Sequence, residues 1–409
     1  MSFKEILQMH LSNRKEIQAP EPTTIMQISH PLATIWLARE KRDDASYFYG
    51  GTRLIEHNIS DLEIRNALIR LMSNESSTKN RLINWSIKNG SIDELQAELP
   101  PGFLQSRVGG ARCLIRPRTS EITSSLINPE NLNNEAIASL LEHIGHALNE
   151  HEPRIKLTPD FGRYAGLADI LHQYTPNVLG IACEKGGCGG KSSYATTGVL
   201  AAVEQIASTH IQNGPVTCIG SAGAMGSGVL QYFLTRKVAD LAACDLAYDR
   251  PGAPILADGC KHLKSRTGHF TEECLVRGGV IIPTTIGDEL EASSWQQIPR
   301  ETILFLAHNL ALPEGNGGIQ LAQSLHKNGV LVIPGQVLTL GGALTARLEW
   351  YWRQIPSKPE FNKGLAHKVV RYVVSHIIVS LLNIAESDAI TPYEAMLRLA
   401  SEGQPFNAL

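Results

Sequence analysis

The chain has 409 residues, 43% of them hydrophobic, and its 37 Lys and Arg against 40 Asp and Glu leave a formal net charge of −3. This length predicts two domains with sizeable cores, and the near-neutral charge lacks the basic footprint of a nucleic-acid binder. Seven cysteines, an odd count without regular spacing, predict a reducing, cytoplasmic setting and not a disulfide framework.

The N-terminal stretch MSFKEILQMHLSNRKEIQAP has no apolar h-region, so it does not read as a secretory signal. Residues 1–40 carry little pattern, and Pro20, Pro22 and Pro31 predict an arm or irregular lead-in. Tyr49-Gly50-Gly51-Thr52-Arg53 reads as a turn after a strand. Ser60-Asp61-Leu62-Glu63 is a capping box, and Ile64, Leu68, Leu71 and Met72 give the apolar face of the helix behind it. Residues 73–100 are polar and irregular, which predicts an insertion or a mobile loop. Val108 to Ile115 reads as a glycine-rich turn entering a short strand.

Residues 134–149 predict an amphipathic helix with Ile137, Leu140, Leu141, Ile144 and Leu148 inward and His143 and His146 on the solvated side, so no metal site is expected there. Leu157 to Gly162 is a turn leading to another helix. The apolar run Val178–Cys183 is followed by the glycine-rich stretch Glu184–Lys191 and a helix through Val199, Ala202, Val203 and Ile206. Gly186 to Ser192 imitates a P-loop but is one residue short between its outer glycine and GKS. Cys183 and Cys188 have no second pair to complete a metal site.

Val216 to Asp245 carries the strongest signal. A buried strand (Val216–Ile219) precedes the turn Gly220, Ser221, Ala222, Gly223, Ala224, Met225, Gly226, then a helix to about Lys237 and a second apolar run ending near Asp245. This is the order of a dinucleotide-binding unit. Gly223 lets the backbone approach the pyrophosphate, Gly226 lets helix and strand pack closely, and Asp245 accepts from the adenosine ribose. Ser221 stands where the first glycine of the fingerprint usually falls. Asp245 favours NAD over NADP, with Arg250 close enough in sequence to oppose it. Short apolar runs at Gly279–Pro283, Ile303–Ala307 and Val330–Pro334 complete a doubly wound, Rossmann-type sheet in an α/β fold. From Gly342 onward the chain reads as helical. Its longest apolar stretch, Val373–Ile384, is interrupted by Ser375, His376, Ser380 and Asn383 and reads as a core helix, not a membrane span.

GGTR (Gly50–Arg53), GGAR (Gly109–Arg112), TPDFG (Thr158–Gly162), GGCGGK (Gly186–Lys191), the nucleotide turn, PTTIG (Pro283–Gly287), AHN (Ala307–Asn309) and GGALTARLEW (Gly341–Trp350) occur in this order. The set resembles the glutamate/leucine/phenylalanine/valine dehydrogenase family over about residues 50–352. The resemblance implies a substrate and oligomerisation domain over 1–195, a Rossmann domain over 196–352, helices 353–409 packing back on the first domain, and an active site in the cleft. It also implies NAD as cofactor, a homo-oligomer, and reversible oxidative deamination of an L-amino acid.

By that resemblance Gly50 and Gly51 form the substrate-binding turn and Asp160 matches the catalytic aspartate. In its turn Asp160 could also cap the helix that follows, the motif match favouring catalysis. Arg112 occupies the place of the catalytic lysine. A guanidinium cannot take a proton at neutral pH, so Arg112 is either a carboxylate clamp or structural. The family's second lysine would fall near Pro100, where none stands. Lys191, in a glycine loop lining the cleft, is a substrate or cofactor contact and the candidate to replace the missing lysine. Ala346 stands at the serine of glutamate-specific members, with Ala343 one turn earlier. Both predict a hydrophobic substrate side chain, or simply helix packing. Thr339 replaces the usual asparagine, Asn309 matches the asparagine near the nicotinamide, and the carboxamide-holding threonine aligns to Ala195 or Thr196.

Three readings follow. One is an NAD-dependent dehydrogenase of a hydrophobic or aromatic L-amino acid or 2-oxo acid. Another is a same-fold reductase of a preformed imine. The third is a non-catalytic NAD(H)-binding regulatory relative.

Overall fold

The residues expected to be an irregular lead-in instead form a hairpin: β1 (Thr23–Ser29) pairs antiparallel with β2 (Ala33–Glu40), Thr23 opposite Glu40. Thr23, Thr24, Ile25 and Ile28 supply the β-branched content that favours a strand, and Pro31 sits in the connection. The structure, a computed structural model, describes residues 23–128, 134–161, 166–252, 255–264, 272–285, 294–313, 315–357 and 359–401. The expected N-terminal arm before Thr23, Gly162 of TPDFG, and Ile286 and Gly287 of PTTIG lie outside the described residues.

β1 and β2 belong to a five-stranded mixed sheet of order β1-β2-β4-β3-β5, with β3 at Tyr47–Leu54, β4 at Val108–Pro117 and β5 at Ile155–Thr158. The glycine pairs expected in turns lie inside β3 and β4. A Cβ on Gly50 would fall on the carbonyl of Ala111, and one on Gly110 would reach 2.7 Å from the Ser77 nitrogen. These glycines mark close backbone approach, not chain reversal.

Between β3 and β4, α1 (Asp61–Leu71) starts at the expected capping box and buries Ile64, Leu68 and Leu71. Residues 73–100 are neither a loop nor a detached insertion. The chain continues through a π-helical turn (Met72–Ser77) into α2 (Thr78–Lys88) and then a 3-10 turn (Asp93–Glu98). Leu82, Ile83 and Ile87 anchor α2, while the polar Glu75, Ser77, Lys79 and Asn80 are also buried. The segment's polar composition suggested solvent exposure. Its buried polar groups instead meet partners from other elements: Asn80 donates to the Tyr49 and Gly109 carbonyls and Lys79 to Asn309. Helix α3 (Asn134–Glu150) buries Ile137, Leu140, Leu141, Ile144 and Leu148 and leaves His143 and His146 exposed, as the periodicity predicts.

The second sheet is six-stranded and parallel, of order β11-β10-β9-β6-β7-β8. β6 (Val216–Ile219), β7 (Leu241–Cys244), β9 (Val280–Pro283), β10 (Ile303–Phe305) and β11 (Leu331–Ile333) fall in the expected apolar runs. β8 (Cys260–Leu263) was not expected. It is an edge strand with Lys261 and His262 exposed, so it lacks the apolar signature of its neighbours.

α4 (Ser192–Ile206) and α5 (Ala224–Thr235) flank β6, and α6 (Asn316–Lys327) precedes β11. α7 (Gly341–Trp352), α8 (Lys363–Ser387) and α9 (Pro392–Ala400) end the described chain. α8 is long and apolar enough to cross a membrane by length and composition, yet it carries a buried stripe through Leu365, Val369, Val373, Ile377 and Leu381. That stripe packs against α4 and α2, and α9 packs against α2 and β11. The C-terminal helices therefore touch elements on both sides of the expected boundary at residue 195.

Candidate active site

The turn after β6 has the local features that a dinucleotide requires. Gly220 adopts φ +74°, and Gly223 caps α5 without any side-chain hydrogen bond to the helix amides. The first-turn amides are thus left for an anion, in line with the helix dipole. Gly226 is buried, and a Cβ there would collide with the Gly220 carbonyl and reach 2.5 Å from Thr284 Oγ1. Just beyond β7, the Asp245 carboxylate accepts from the Ala222 amide at 2.9 Å and the Ala247 amide at 2.8 Å. Each oxygen retains a lone pair for a ribose hydroxyl. Ser221 is buried with its hydroxyl turned to the Cys244 carbonyl, and Arg250 is exposed. Gly226→Ala is expected to weaken NADH binding by about tenfold or more, roughly 1.4 kcal/mol. A fluorescence titration with unchanged affinity would remove this turn as the cofactor site.

A cavity of about 620 Å³ opens between the two sheets. Tyr49, Gly50, Gly51 and Arg53 of β3, with Arg112 of β4, form one wall; Glu75, Lys79, Asn309 and Thr339 also line it. Thr158, Asp160, Lys191, Ala195 and Ala343 line it further, and Ala224, Met225 and Thr285 bring the nucleotide turn to the same space.

Glu75 is the hub of this cavity. Its carboxylate accepts from Asn309 Nδ2 at 2.7 Å and pairs with Arg112 at 3.2 Å, with Lys79 and Arg53 each at 4.0 Å. Burial alone would raise its pKa, but Arg112, Lys79 and Arg53 together outweigh burial and bring it down to about 2. Asn309 also accepts from Lys79 Nζ at 2.6 Å and from the Thr339 hydroxyl at 2.8 Å. Burial lowers the Lys79 pKa to about 8; Glu75 opposes the shift, while Arg112 and Arg53 reinforce it. Lys79 therefore exchanges a proton near neutrality.

Lys191 behaves in the opposite way. Its ammonium donates to the Tyr49 hydroxyl at 2.6 Å and to the Thr158 hydroxyl. Burial disfavours its charge, but Tyr49, Cys188 and Glu349 outweigh that and hold its pKa above the ordinary value. Lys191 is thus a standing positive charge, unlike the titrating lysine across the cavity.

The fold brings Gly50, Gly51, Arg112, Asp160, Lys191, Asn309 and Ala343 into one cavity with Ala224 and Met225. Asp160 is exposed at the cavity's edge, and Gly166 caps the next described helix (Leu167–Leu171), so Asp160 is not that helix's cap. Ala346 is fully buried among Tyr47, Tyr49, Val108 and Leu179, behind the cavity. The Thr196 hydroxyl donates to the Met225 carbonyl at 3.2 Å, tying α4 to α5, and Ala195 is the residue that faces the cavity. Sequence reasoning missed Glu75, Lys79, Tyr49, Thr158 and Arg53. The segment near Pro100 carries no lysine, as read from the sequence, but a lysine from elsewhere lines the cleft: Lys79 reaches it from α2. A charged Glu75/Lys79 pair at i, i+4, just before the buried positions Leu82, Ile83 and Ile87, was the available signal.

The fully buried Glu349 carboxylate ties the glycine-rich stretch to the run before it: it accepts from the amides of Gly180 and Ile181 at 2.8 and 3.4 Å and from that of Cys188 at 3.0 Å, with Arg353 3.8 Å away. The Cys188 amide, inside the P-loop imitation, is thus engaged by the chain's own carboxylate.

No family model matches the chain. It is 23% identical over 268 residues to the leucine dehydrogenase of Bacillus cereus, covering 64% of this chain and 68% of that protein. It is likewise 23% identical over 279 residues to the leucine dehydrogenase of Geobacillus stearothermophilus, covering 67% and 70%. The L-tryptophan dehydrogenase from Nostoc punctiforme superposes with a TM-score of 0.62 at 17% identity, over 94% of this chain and 95% of that one. The leucine-bound hetero-hexameric glutamate dehydrogenase from Thermus thermophilus gives 0.64 at 15% identity, over 94% and 88%.

Proposed function

We propose that this chain, a divergent member of the amino-acid dehydrogenase family, transfers a hydride between a nicotinamide cofactor and the Cα of an amino acid, its 2-oxo acid or the corresponding imine. The observation that carries this reading is the single cavity in which the nucleotide turn meets Lys79, Arg112, Asp160 and Lys191. Gly220, Gly223, Gly226 and Asp245 would hold the cofactor, and Asp245 favours NAD. When bound, the nicotinamide supplies the hydride acceptor.

The chain's own residues divide the remaining work. Arg112, held by Glu75 at 3.2 Å, presents a fixed guanidinium to a substrate carboxylate. Lys79, with a pKa near 8, takes and returns a proton at the amine or the attacking water. Asp160, exposed at the edge, passes protons between the cavity and solvent. The apolar side chain expected from Ala343 and Ala346 loses half its support, because only Ala343 lines the cavity. We take residues 1–195 and 196–352 as the substrate and nucleotide domains, and the working form as a homo-oligomer.

The test is NADH formation by purified protein across a panel of L-amino acids at alkaline pH, with NADH-dependent reduction of the matching 2-oxo acids plus ammonium. Asp160→Asn is expected to lower turnover about 10²-fold or more without weakening NADH binding. Unchanged turnover in that variant would remove Asp160 from the mechanism. Arg112 at the lysine position favours one second reading, the reduction of a preformed imine, which needs no activated water. Turnover of a cyclic imine without ammonium, and silence across the amino acids, would select it.

A further inference from the structure

Tyr49, Thr158 and Lys191 form a closed set of hydrogen bonds in the cavity wall. The Lys191 ammonium donates to the Tyr49 hydroxyl at 2.6 Å and to the Thr158 hydroxyl, and the two hydroxyl oxygens are 3.0 Å apart. Each hydroxyl carries one proton, and an ammonium accepts none. Only one proton can lie between the two oxygens. One hydroxyl proton of the set therefore has no acceptor among the described residues. Both side chains line the cavity, so that proton is left for its occupant.

The set is held from behind. The Tyr49 carbonyl accepts from Asn80 at 3.3 Å. Gly180 lies against the other two members: a Cβ there would stand 3.4 Å from Lys191 Cε and 3.5 Å from Thr158 Cγ2, and the Gly180 amide is fixed by Glu349. Burial opposes the Lys191 charge, but Tyr49, Cys188 and Glu349 outweigh burial and keep it protonated. A phenol is a far stronger acid than an alkyl hydroxyl, and a fixed ammonium stabilises the phenolate left behind. Tyr49 and Gly51 share one face of β3, about 7 Å apart. A Cβ on Gly51 would meet the Arg112 guanidinium at 3.6 Å, so the carboxylate clamp lies farther along the same face. The Lys191 carbonyl accepts from the Ala195 amide, and Ala195 lines the cavity with Met225 of the nucleotide turn.

We propose that Tyr49 is a catalytic residue that gives its proton to the imine nitrogen on Cα, with Lys191 and Thr158 as its positioning residues. This rests on the oxidoreductase reading above. In reduction, Cα gains a hydride from the reduced nicotinamide, the π electron pair of the C=N bond moves to nitrogen, and nitrogen takes the Tyr49 proton. Where Tyr49 donates to Thr158, the Thr158 proton goes to nitrogen as the Tyr49 proton moves to Thr158, and the same phenolate results. The phenolate stays beside Lys191 until a solvent proton restores it, and oxidation runs these steps backward. Arg112 cannot give up a proton and so cannot serve here. Lys79 keeps the entry and release of water and amine.

The experiment gives the full-length protein NADH with a panel of 2-oxo acids plus ammonium, including 4-methyl-2-oxopentanoate, and with the cyclic imine 1-pyrroline-2-carboxylate. It reads kcat and KM and, by calorimetry, the binding of NADH and of each acid to the NADH complex. Tyr49→Phe is expected to lower kcat about 10²–10⁴-fold on every substrate that wild type turns over, with both affinities unchanged. Lys191→Met should also lower kcat, and the double variant should be no slower than Tyr49→Phe, because Lys191 acts through Tyr49. An unchanged kcat in Tyr49→Phe, a loss confined to KM and affinity, or losses that multiply in the double variant overturns the proposal. Wild-type turnover would in those cases leave the oxidoreductase reading standing. Wild type that binds NADH but turns over nothing in the panel removes that reading, and the proposal with it.

Discussion

Lys79→Met is expected to lower kcat/KM on the order of 10²–10⁴-fold while leaving NADH affinity unchanged. Lys79 lies in the cavity but outside the nucleotide turn, so its loss should affect chemistry and not cofactor binding. Burial, with Arg112 and Arg53, brings its pKa to about 8, and its ammonium is held 2.6 Å from Asn309 Oδ1. In the deaminating direction the neutral amine is the active form. The wild-type kcat/KM should therefore rise with pH through about 8, the pH at which Lys79 loses its proton. Lys79→Arg keeps the charge but cannot lose it, so that limb of the profile should vanish. If Lys79→Arg shows the same rise, the titrating base lies elsewhere. If Lys79→Met raises KM alone, Lys79 is an anchor for the substrate carboxylate and not a base.

Glu349→Leu is expected to destabilise the fold by about 3–5 kcal/mol, measured by urea unfolding. The carboxylate is fully buried and accepts from three backbone amides, those of Gly180 and Ile181 before the glycine-rich stretch and of Cys188 within it. Removing it strands those amides and leaves Arg353 without its carboxylate, which is 3.8 Å away. The loop that leads to Lys191 would then lose its internal anchor. Glu349→Gln keeps the shape and one acceptor oxygen, so it should cost less. A change below about 1 kcal/mol in Glu349→Leu would mean that the loop is held by its glycine geometry and its packing, not by this carboxylate.

Where local signals and burial agreed, the elements were legible. The Ser60–Glu63 capping box starts α1, and Ile137, Leu140, Leu141, Ile144 and Leu148 face inward from α3. The nucleotide unit was readable because a parallel strand buried on both faces must be a short apolar run, and β6, β7 and β9 are such runs. β8 escaped because an edge strand need not be apolar. Gly50 and Gly110 were misplaced in turns because a glycine marks either a turn or a close approach, and only the facing Ala111 and Ser77 distinguish the two.

The sequence by itself determined the α/β class and the nucleotide turn with Asp245, since strand, turn and helix signals act over a few residues. That Arg112, Asp160 and Lys191 share a cleft was implied by the family resemblance, not by spacing. Only the tertiary structure decided what the charged groups do. Glu75 and Lys79 sat in a stretch whose polarity resembled a solvated loop, and their role exists only because β4, Asn309 and Thr339 converge on them from distant parts of the chain. The same holds for Lys191 and Glu349. A lysine becomes a titrating group or a fixed charge according to burial and the groups that face it, and those neighbours are a property of the packed fold, not of sequence spacing.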